Sequence, residues 1–310
     1  MSTPFTSRAY GCAIIKSINS NYNADFSHQP RTLPDGKVYA TDKALKYTVK
    51  HYLKAASDEN KVLYFKRLNK DFNPFDLVEG YREMFKTEVK SDSRDAILQN
   101  LLSCIDIRCF GATFAPKGAG VDKKNISIHG PVQITHGVNR FPKNEIFSEQ
   151  IMSPFRNPGE EGAAEKGAST LGTQSKLREG HYVHHFSVNP RNLEEHLARL
   201  NGNGTALSEE DMAKLKEALR RGATYYDSAS KAGTENELLL WGKMKQGSKV
   251  VLPAFVELVQ IAEDGTIDLG KVTEVLDSEF IRPEVEAVEL YCNPGTKVVV
   301  QPGQAVVAHL

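Results

Sequence analysis

The spacing of hydrophobic positions predicts three helices. In TDKALKYTVKHYLKAA, apolar residues recur on one helical face, and Thr41 or Asp42 can cap the first turn. SRDAILQNLLSC predicts a second helix. LSEEDMAKLKEALRRG predicts the third, with Ser208 as its cap, Asp211 in the capping-box position and Gly222 at its end. These helices are separated by β-like segments, so the pattern favours a chain that mixes both types of structure.

The β-like segments differ in regularity. RAYGCAIIKSI and HYVHHFSVN are continuous enough to predict strands. IDIRCFGATFA begins an alternating pattern at Ile105 and Ile107, and KVVLPAFVELVQIA is a further strand candidate. SIHGPVQITHGVNRF predicts a strand that Gly130-Pro131 interrupts. Without its insertions, the order resembles the split βαβ arrangement of ferredoxin-like and RRM domains, an α+β fold.

Three segments depart from this regular order inside what we predict to be one domain over 1–310. Residues 57–103 predict a helical insertion. Residues 142–180, rich in Gly, Ser, Glu and Ala, predict a protruding insertion. Residues 251–310 predict a C-terminal strand and an acidic tail, since they hold 3 Lys and Arg against 10 Asp and Glu.

Composition argues against a membrane protein and a secreted protein, and it leaves nucleic-acid binding open. The chain is 40% hydrophobic and 25% charged, with no apolar window long enough for a membrane span and no signal-peptide pattern at its start. Four cysteines without a CxxC pair predict reduced thiols and a cytoplasmic protein. The net charge of zero argues against a nucleic-acid ligand, but residues 1–250 hold 36 Lys and Arg against 29 Asp and Glu. A basic part can bind a polyanion, although ordinary surface scatter explains the same numbers.

Candidate chemistry is sparse. His181, His184 and His185 are not accompanied by the further ligands of a metal site, so we predict structural histidines and no cofactor. The lysines of the first helix form a stripe that is either a solvated face or a phosphate contact. The free N–H groups at the start of that helix would add an anion site. Asp25 and Asp35, in the loop after the first strand, are typical turn formers.

The ordered set of motifs resembles the CRISPR-associated Cas-seven family, the backbone subunit of Cascade, and within it most closely the type I-B and I-C branch. The motifs are PRTLPDGKVYATDKALKYTVKHYL, IDIRCFGATFA, IHGPVQITHGVNR, STLGTQSK, HYVHHFSVN, LSEEDMAKLKEALRRG and SASKAGTENELLL, in that order. The resemblance implies an RRM-like palm, a helical fingers insertion and a β-hairpin thumb. It implies further copies of the chain stacked head to tail along CRISPR RNA, target DNA paired with the exposed bases, other Cascade subunits as partners, and no enzymatic activity.

The resemblance also assigns residues. It places RNA-backbone contacts at Asn19, Asn21, Arg31, Thr41, Lys43, Lys46, Lys50, Gln133, Arg140, Lys176, Ser228 and Lys231. It places the base-displacing thumb at Met152, Phe155 and Leu171. Gly130-Pro131 would lie where the RNA or the next copy approaches closely. His136 departs from the family pattern and has no assigned role.

Two other interpretations of the function remain open. The chain could cut bound RNA, as type III relatives do, with a loop aspartate such as Asp25 or Asp35. It could also be a generic single-stranded RNA-binding module, which predicts a monomer that does not stack along RNA.

Overall fold

The computed structural model describes residues 3–152 and 171–310, which form a mixed α+β protein. Its helices are α1 (Asp42–Ala56), α2 (Leu77–Phe85), α3 (Arg94–Leu102), α4 (Ile105–Phe110), α5 (Glu194–Arg199), α6 (Glu209–Tyr225) and α7 (Gly270–Leu276). Short 3-10 helices cover Pro190–Leu193, Phe255–Glu257 and Arg282–Glu284. Within the described residues, no helix has the length and apolar character needed to cross a membrane.

Fourteen strands are present in the described parts of the chain. They are β1 (Ala9–Ser20), β2 (Tyr39–Ala40), β3 (Gly111–Phe114), β4 (Ile126–His129), β5 (Val132–Ile134), β6 (Gly137–Asn139), β7 (Ile146–Met152), β8 (Leu171–Val188), β9 (Thr234–Met244), β10 (Gln260–Ile261), β11 (Ile267–Asp268), β12 (Val285–Cys292), β13 (Val298–Val299) and β14 (Ala305–His309).

Nine of these strands form one sheet in the order β14-β12-β9-β1-β8-β6-β2, with β5 and β7 also paired to β8. All of its pairs are antiparallel except β12 with β14. In chain order, β1, α1, β6, β8, α6 and β9 make a βαββαβ unit whose strands lie side by side as β9-β1-β8-β6. The predicted strands β1 and β8 and the predicted helices α1, α3 and α6 are therefore confirmed.

The central sheet is covered on both faces, which explains why β1 is a continuous apolar run rather than an alternating one. On one face, Ala13 and Ile15 pack with the helical layer in the larger of two apolar clusters. On the other face, Cys12 and Ile14 pack with Phe255 and other residues of the C-terminal part. Residues 251–310 thus contribute strands, a helix and apolar residues that cover one face of the sheet, so the segment is more structured than an acidic tail.

Two strand predictions are wrong over most of their length. Ile105 and Ile107 belong to helix α4, which ends at Phe110, and Gly111, with a φ of 70°, is the first residue of β3. From this helix, the buried Asp106 carboxylate accepts the backbone N–H groups of Leu63 and Tyr64, at 3.1 and 2.9 Å, and so holds that segment against α4. The segment KVVLPAFVELVQIA forms loop and 3-10 helix up to the short β10, because its apolar residues cover the sheet instead of pairing within it.

Helix α6 continues past the predicted end at Gly222 to Tyr225. A Cβ atom at Gly222 would lie 2.9 Å from the carbonyl oxygen of Thr48 on α1. The glycine therefore permits close approach of two helices and does not end one. The capping box of Ser208 and Asp211 is confirmed, and Arg108 forms an ion pair with the same Asp211 at 2.6 Å.

The interrupted strand at 126–141 is three short strands, β4, β5 and β6. A Cβ atom at Gly130 would lie 2.0 Å from the backbone carbon of Phe110. Within the chain, the close neighbour of this glycine is therefore the end of helix α4, and this contact by itself requires a residue without a side chain.

Beyond the sheet, β7 and the first part of β8 form a two-stranded arm. Residues 146–152 pair with 171–177, and only Leu177 of that stretch also pairs with β1. Most side chains of β7 are exposed. Residues 57–76 contain no helix, and α2 and α3 account for the helical part of the predicted 57–103 insertion.

Candidate nucleic-acid interface

Most of the predicted RNA contacts lie around the C-terminal end of β1. We call this region the candidate surface and define it as residues 19–46, the turn at 135–136 and the loop 226–233. The loop 226–233 joins it through two backbone contacts, from Asn21 N–H to the Ser230 carbonyl at 2.7 Å and from Ile18 N–H to the Gly233 carbonyl at 2.9 Å. The surface therefore combines segments that are distant in sequence.

Asn21 connects the candidate surface to the arm. Its side chain is buried, and Nδ2 donates to the carbonyl oxygens of Ser175 at 3.1 Å and His28 at 3.3 Å. Asn19, two residues earlier, is exposed and has a φ of 48°, a conformation that asparagine tolerates better than most residues. Asn21 is thus a structural link, whereas Asn19 is free to meet a ligand.

The start of helix α1 is covered by two side chains that the sequence did not assign. Asn23 Oδ1 accepts from both the N–H and the hydroxyl of Thr41, at 2.9 and 3.0 Å. His136 Nδ1 accepts from the Asp42 N–H at 3.4 Å, and its ring stacks on Tyr39 with centroids 5.4 Å apart. His136 therefore orders the helix start, which leaves fewer free N–H groups for an anion than the sequence predicted.

The lysines of α1 are not equivalent. Lys43 is exposed and has no ion pair within the described residues. Lys46 forms an ion pair with Asp42 at 3.0 Å, and although partial burial opposes it, this hydrogen bond lowers the pKa of Asp42. Lys50 is mostly buried and donates to the Tyr64 carbonyl at 3.3 Å, 3.9 Å from Asp106. Burial lowers the pKa of Lys50. Lys43 is therefore the lysine best placed for a phosphate.

Lys231 lies on the same surface, although it is about 190 residues after Lys43 in the sequence. Its ammonium donates to the Tyr22 carbonyl and lies 5.2 Å from the Tyr22 ring centroid and 6.0 Å from that of Tyr226. Burial lowers the pKa of Lys231 to about 8. Ser228 lies beside it, with its hydroxyl 3.4 Å from that of Ser230.

Three further assigned residues have side chains that bind partners outside the candidate surface. Gln133 on β5 is level with Tyr10, at the other end of β1 and roughly 35 Å from Asn21 at strand spacing; its Nε2 donates to the Gly130 carbonyl at 2.8 Å. Arg140 pairs with Glu257 at 2.9 Å. On the arm, Lys176 pairs with Glu149 at 3.0 Å. Of these three residues, Gln133 lies far from Asn21. Arg140 and Lys176 adjoin the candidate surface, because the neighbouring Asn139 N–H donates to the Val38 carbonyl and Asn21 donates to the Ser175 carbonyl.

The predicted thumb residues lie at or beyond the end of the arm. Met152 is the last residue of β7, is 65% exposed and pairs in register with Leu171. Phe155 lies outside the described residues. Arg31, at the other side of the surface, donates from Nε to the Ala24 carbonyl at 3.1 Å.

The histidines of β8 are buried and hydrogen-bonded within the protein. His184 bonds to the Thr135 carbonyl at 3.0 Å through Nδ1 and to the Tyr22 hydroxyl at 3.3 Å through Nε2. His185 accepts the Phe255 N–H at 3.2 Å through Nδ1. Within residues 3–152 and 171–310, no group of three or more His, Cys, Asp or Glu is arranged to hold a metal ion.

These two histidines make stability depend on acidic pH. Burial lowers the pKa of both His184 and His185 to about 4, below the unfolded value near 6.5. Between these values the unfolded chain binds more protons, so we expect the free energy of unfolding to fall as the pH falls from about 6.5 to about 4. The loss is roughly 2 kcal/mol per histidine at pH 5.

Urea unfolding at pH 7.5 and pH 5 measures this loss. His185→Gln should remove about half of it, whereas His129→Gln, at an exposed histidine, should leave it unchanged. Equal stability of the parent protein at both pH values would show that the histidines are not held neutral.

The protein has a central sheet covered on both faces, a projecting arm and a lysine-bearing surface. These features define a mixed α+β protein with a candidate polyanion site. A model of the family "CRISPR-associated protein Cas7" matches residues 7–275. The chain therefore belongs to the Cas7 family, which confirms the resemblance seen in the sequence motifs.

Solved structures share the fold. A chain of a "CRISPR RNA-guided surveillance complex" is 13% identical, with a TM-score of 0.51 over 96% of each chain. A chain of a "CRISPR RNA-guided surveillance complex, pre-nicking" is also 13% identical, with a TM-score of 0.56 over 97% of this chain and 96% of the other. No curated protein matches the sequence. At this identity the likeness concerns the fold alone.

Proposed function

We propose that the protein is a CRISPR RNA-binding backbone subunit of a type I surveillance complex of the I-B or I-C kind. The observation that carries this proposal is the Cas7 family match over residues 7–275. The βαββαβ order with strands arranged β9-β1-β8-β6 supports an RRM-like palm. Helices α2 and α3 would be the fingers, and the β7–β8 arm would be the thumb.

The chemistry of the candidate surface suits a nucleic-acid backbone. Lys43 supplies a free cation, and Asn19 and Ser228 supply neutral hydrogen-bonding groups. These groups bind phosphate and sugar and carry no sequence information. Sequence would be read by base pairing between the bound RNA and target DNA, so the protein would accept any spacer.

Head-to-tail stacking of copies along the RNA completes the proposal. The arm extends beyond the sheet with an exposed Met152 at its described end, and it would reach a neighbouring copy and displace a base. Other subunits of the complex would bind the ends of the stack. The nuclease activity would belong to a different component.

Binding to RNAs of one length and different sequence tests the RNA-backbone claim. Three CRISPR RNAs with unrelated spacers should bind with affinities within a few-fold of one another, and the affinity should fall steeply with salt. A strong preference for one spacer, with little salt dependence, would contradict backbone recognition.

An RNA-cutting function is the second candidate, and the loop aspartates argue against it. Asp25 Oδ1 accepts the N–H groups of Ser27 and Gln29 at 2.8 and 2.9 Å. Asp35 accepts the Lys37 N–H at 3.2 Å, and this hydrogen bond is the main reason that its pKa is lowered. Both carboxylates hold turns, as the sequence predicted.

We therefore expect no Mg²⁺-dependent cleavage of target RNA paired to the bound guide, measured by gel electrophoresis. Asp25→Asn and Asp35→Asn are the matched variants, because the amide oxygen still accepts the turn N–H groups while the negative charge is removed. Cleavage by the parent protein that either variant abolished would overturn the non-enzymatic proposal.

A further inference from the structure

Phe26 is 99% exposed, at the tip of a turn formed by residues 25–29 on the candidate surface. A single exposed apolar side chain is common and by itself indicates nothing. The turn that carries Phe26 is the unusual feature, because its hydrogen bonds fix the main chain to which the ring is attached.

Four hydrogen bonds hold this turn. Asp25 Oδ1 accepts from Ser27 and Gln29, as described above. The Asp25 N–H donates to the Gln29 carbonyl at 2.8 Å, and the His28 N–H donates to the Asp25 carbonyl at 3.2 Å. A bridge between Ala24 and Pro30 closes the base of the turn. Such pre-organisation reduces the entropy cost when a ligand binds.

The turn is anchored on both sides by residues assigned to RNA binding. Asn21 donates to the His28 carbonyl at 3.3 Å on one side, and Arg31 donates to the Ala24 carbonyl at 3.1 Å on the other. The Phe26 ring is therefore carried by the same short loop that would follow the RNA backbone.

A second loop in the chain has the same architecture in a different setting. Asn69 Oδ1 accepts from the N–H groups of Asp71 and Asn73, both at 3.0 Å, and a bridge between Leu68 and Pro74 closes it. Phe72 is 82% exposed on this loop. No residue assigned to RNA binding flanks it, so it provides a matched control within the same protein.

We propose that Phe26 stacks on a base of the bound RNA, an inference that rests on the proposed RNA-binding function and adds a base contact to it. A nucleobase is favoured over a protein partner because Asn21 and Arg31 anchor the turn that carries the ring. In addition, Phe26 belongs to neither apolar cluster of the described residues. Every base presents a π face, so stacking tolerates any spacer sequence. The contact would hold the RNA without reading it.

Phe26→Trp gives a direct test. The chain has one tryptophan, Trp241, which is 2% exposed, so the introduced indole would be the solvent-facing reporter. RNA should quench its fluorescence, whereas an abasic strand of the same length should bind without quenching it. Equal quenching by both strands, or none by RNA that anisotropy shows to be bound, overturns the proposal. Absence of any binding overturns the RNA-binding function as well.

Substitutions measure the contribution of the ring. Phe26→Ala should weaken RNA binding roughly tenfold, Phe26→Tyr should retain the affinity, and Phe72→Ala should change nothing. Phe26→Leu separates stacking from apolar contact, because it should behave like alanine. If leucine binds as tightly as phenylalanine, or if Phe26→Ala lowers self-association without RNA, the ring contacts protein and the proposal is wrong.

Discussion

Asp106→Ala should lower the free energy of unfolding by about 3 kcal/mol or more. The Asp106 carboxylate is 1% exposed, accepts two backbone N–H groups and faces the ammonium of Lys50 at 3.9 Å. Its removal leaves the buried N–H groups of Leu63 and Tyr64 without an acceptor and Lys50 without a counter-charge. Urea denaturation measures the change.

Two variants make this result interpretable. Asp58→Ala removes a carboxylate from an exposed position and should change stability little. Asp106→Asn keeps one acceptor oxygen and should be less destabilised than the alanine variant. A destabilisation by Asp106→Ala no larger than that by Asp58→Ala would mean that this carboxylate does not hold segment 63–64 against α4.

Lys43→Glu should weaken RNA binding roughly tenfold for every spacer sequence. It should also reduce the slope of log affinity against log salt by about 0.7 for each phosphate that the side chain no longer neutralises. The side chain is exposed at the start of α1 and has no competing ion pair in the described part of the chain. Lys46→Glu should act in the same direction, but Lys46 already shares its charge with Asp42.

The control for this prediction lies on the same helix. Lys54 is also exposed but is eleven residues from Lys43, roughly 16 Å along the helix axis, and its ammonium lies over the Phe65 ring. Lys54→Glu should have a clearly smaller effect. Equal effects of the two variants, or weaker binding confined to some sequences, would contradict a phosphate contact at the start of α1.

The long elements could be predicted from sequence because each depends on local pattern. β1 is a continuous apolar run, and α6 has both an apolar stripe and a capping box. Helix α4 could not be predicted in this way, because its six residues, which include Ile105 and Ile107, match a strand as well as a helix. The buried acceptor role of Asp106 depends on residues some forty positions earlier, and local pattern does not show it.

The candidate site could be predicted only in part, because local pattern and motif order do not report tertiary contacts. Motif order assigned RNA contacts to Arg31, Thr41 and Lys43, and these residues share one surface in the structure. It could not show that segment 63–65 covers Lys50, or that the β5–β6 turn brings His136 to the start of α1. Both facts depend on tertiary contacts between distant segments, and periodicity along one helix does not report them.

The mass of the protein on RNAs of increasing length tests the central claim most directly. By size-exclusion chromatography with light scattering, the RNA-bound mass should rise in steps of one 34.4 kDa chain as the RNA is lengthened. A complex that keeps one chain on every RNA length would contradict a stacked backbone subunit and favour a generic single-stranded RNA-binding module.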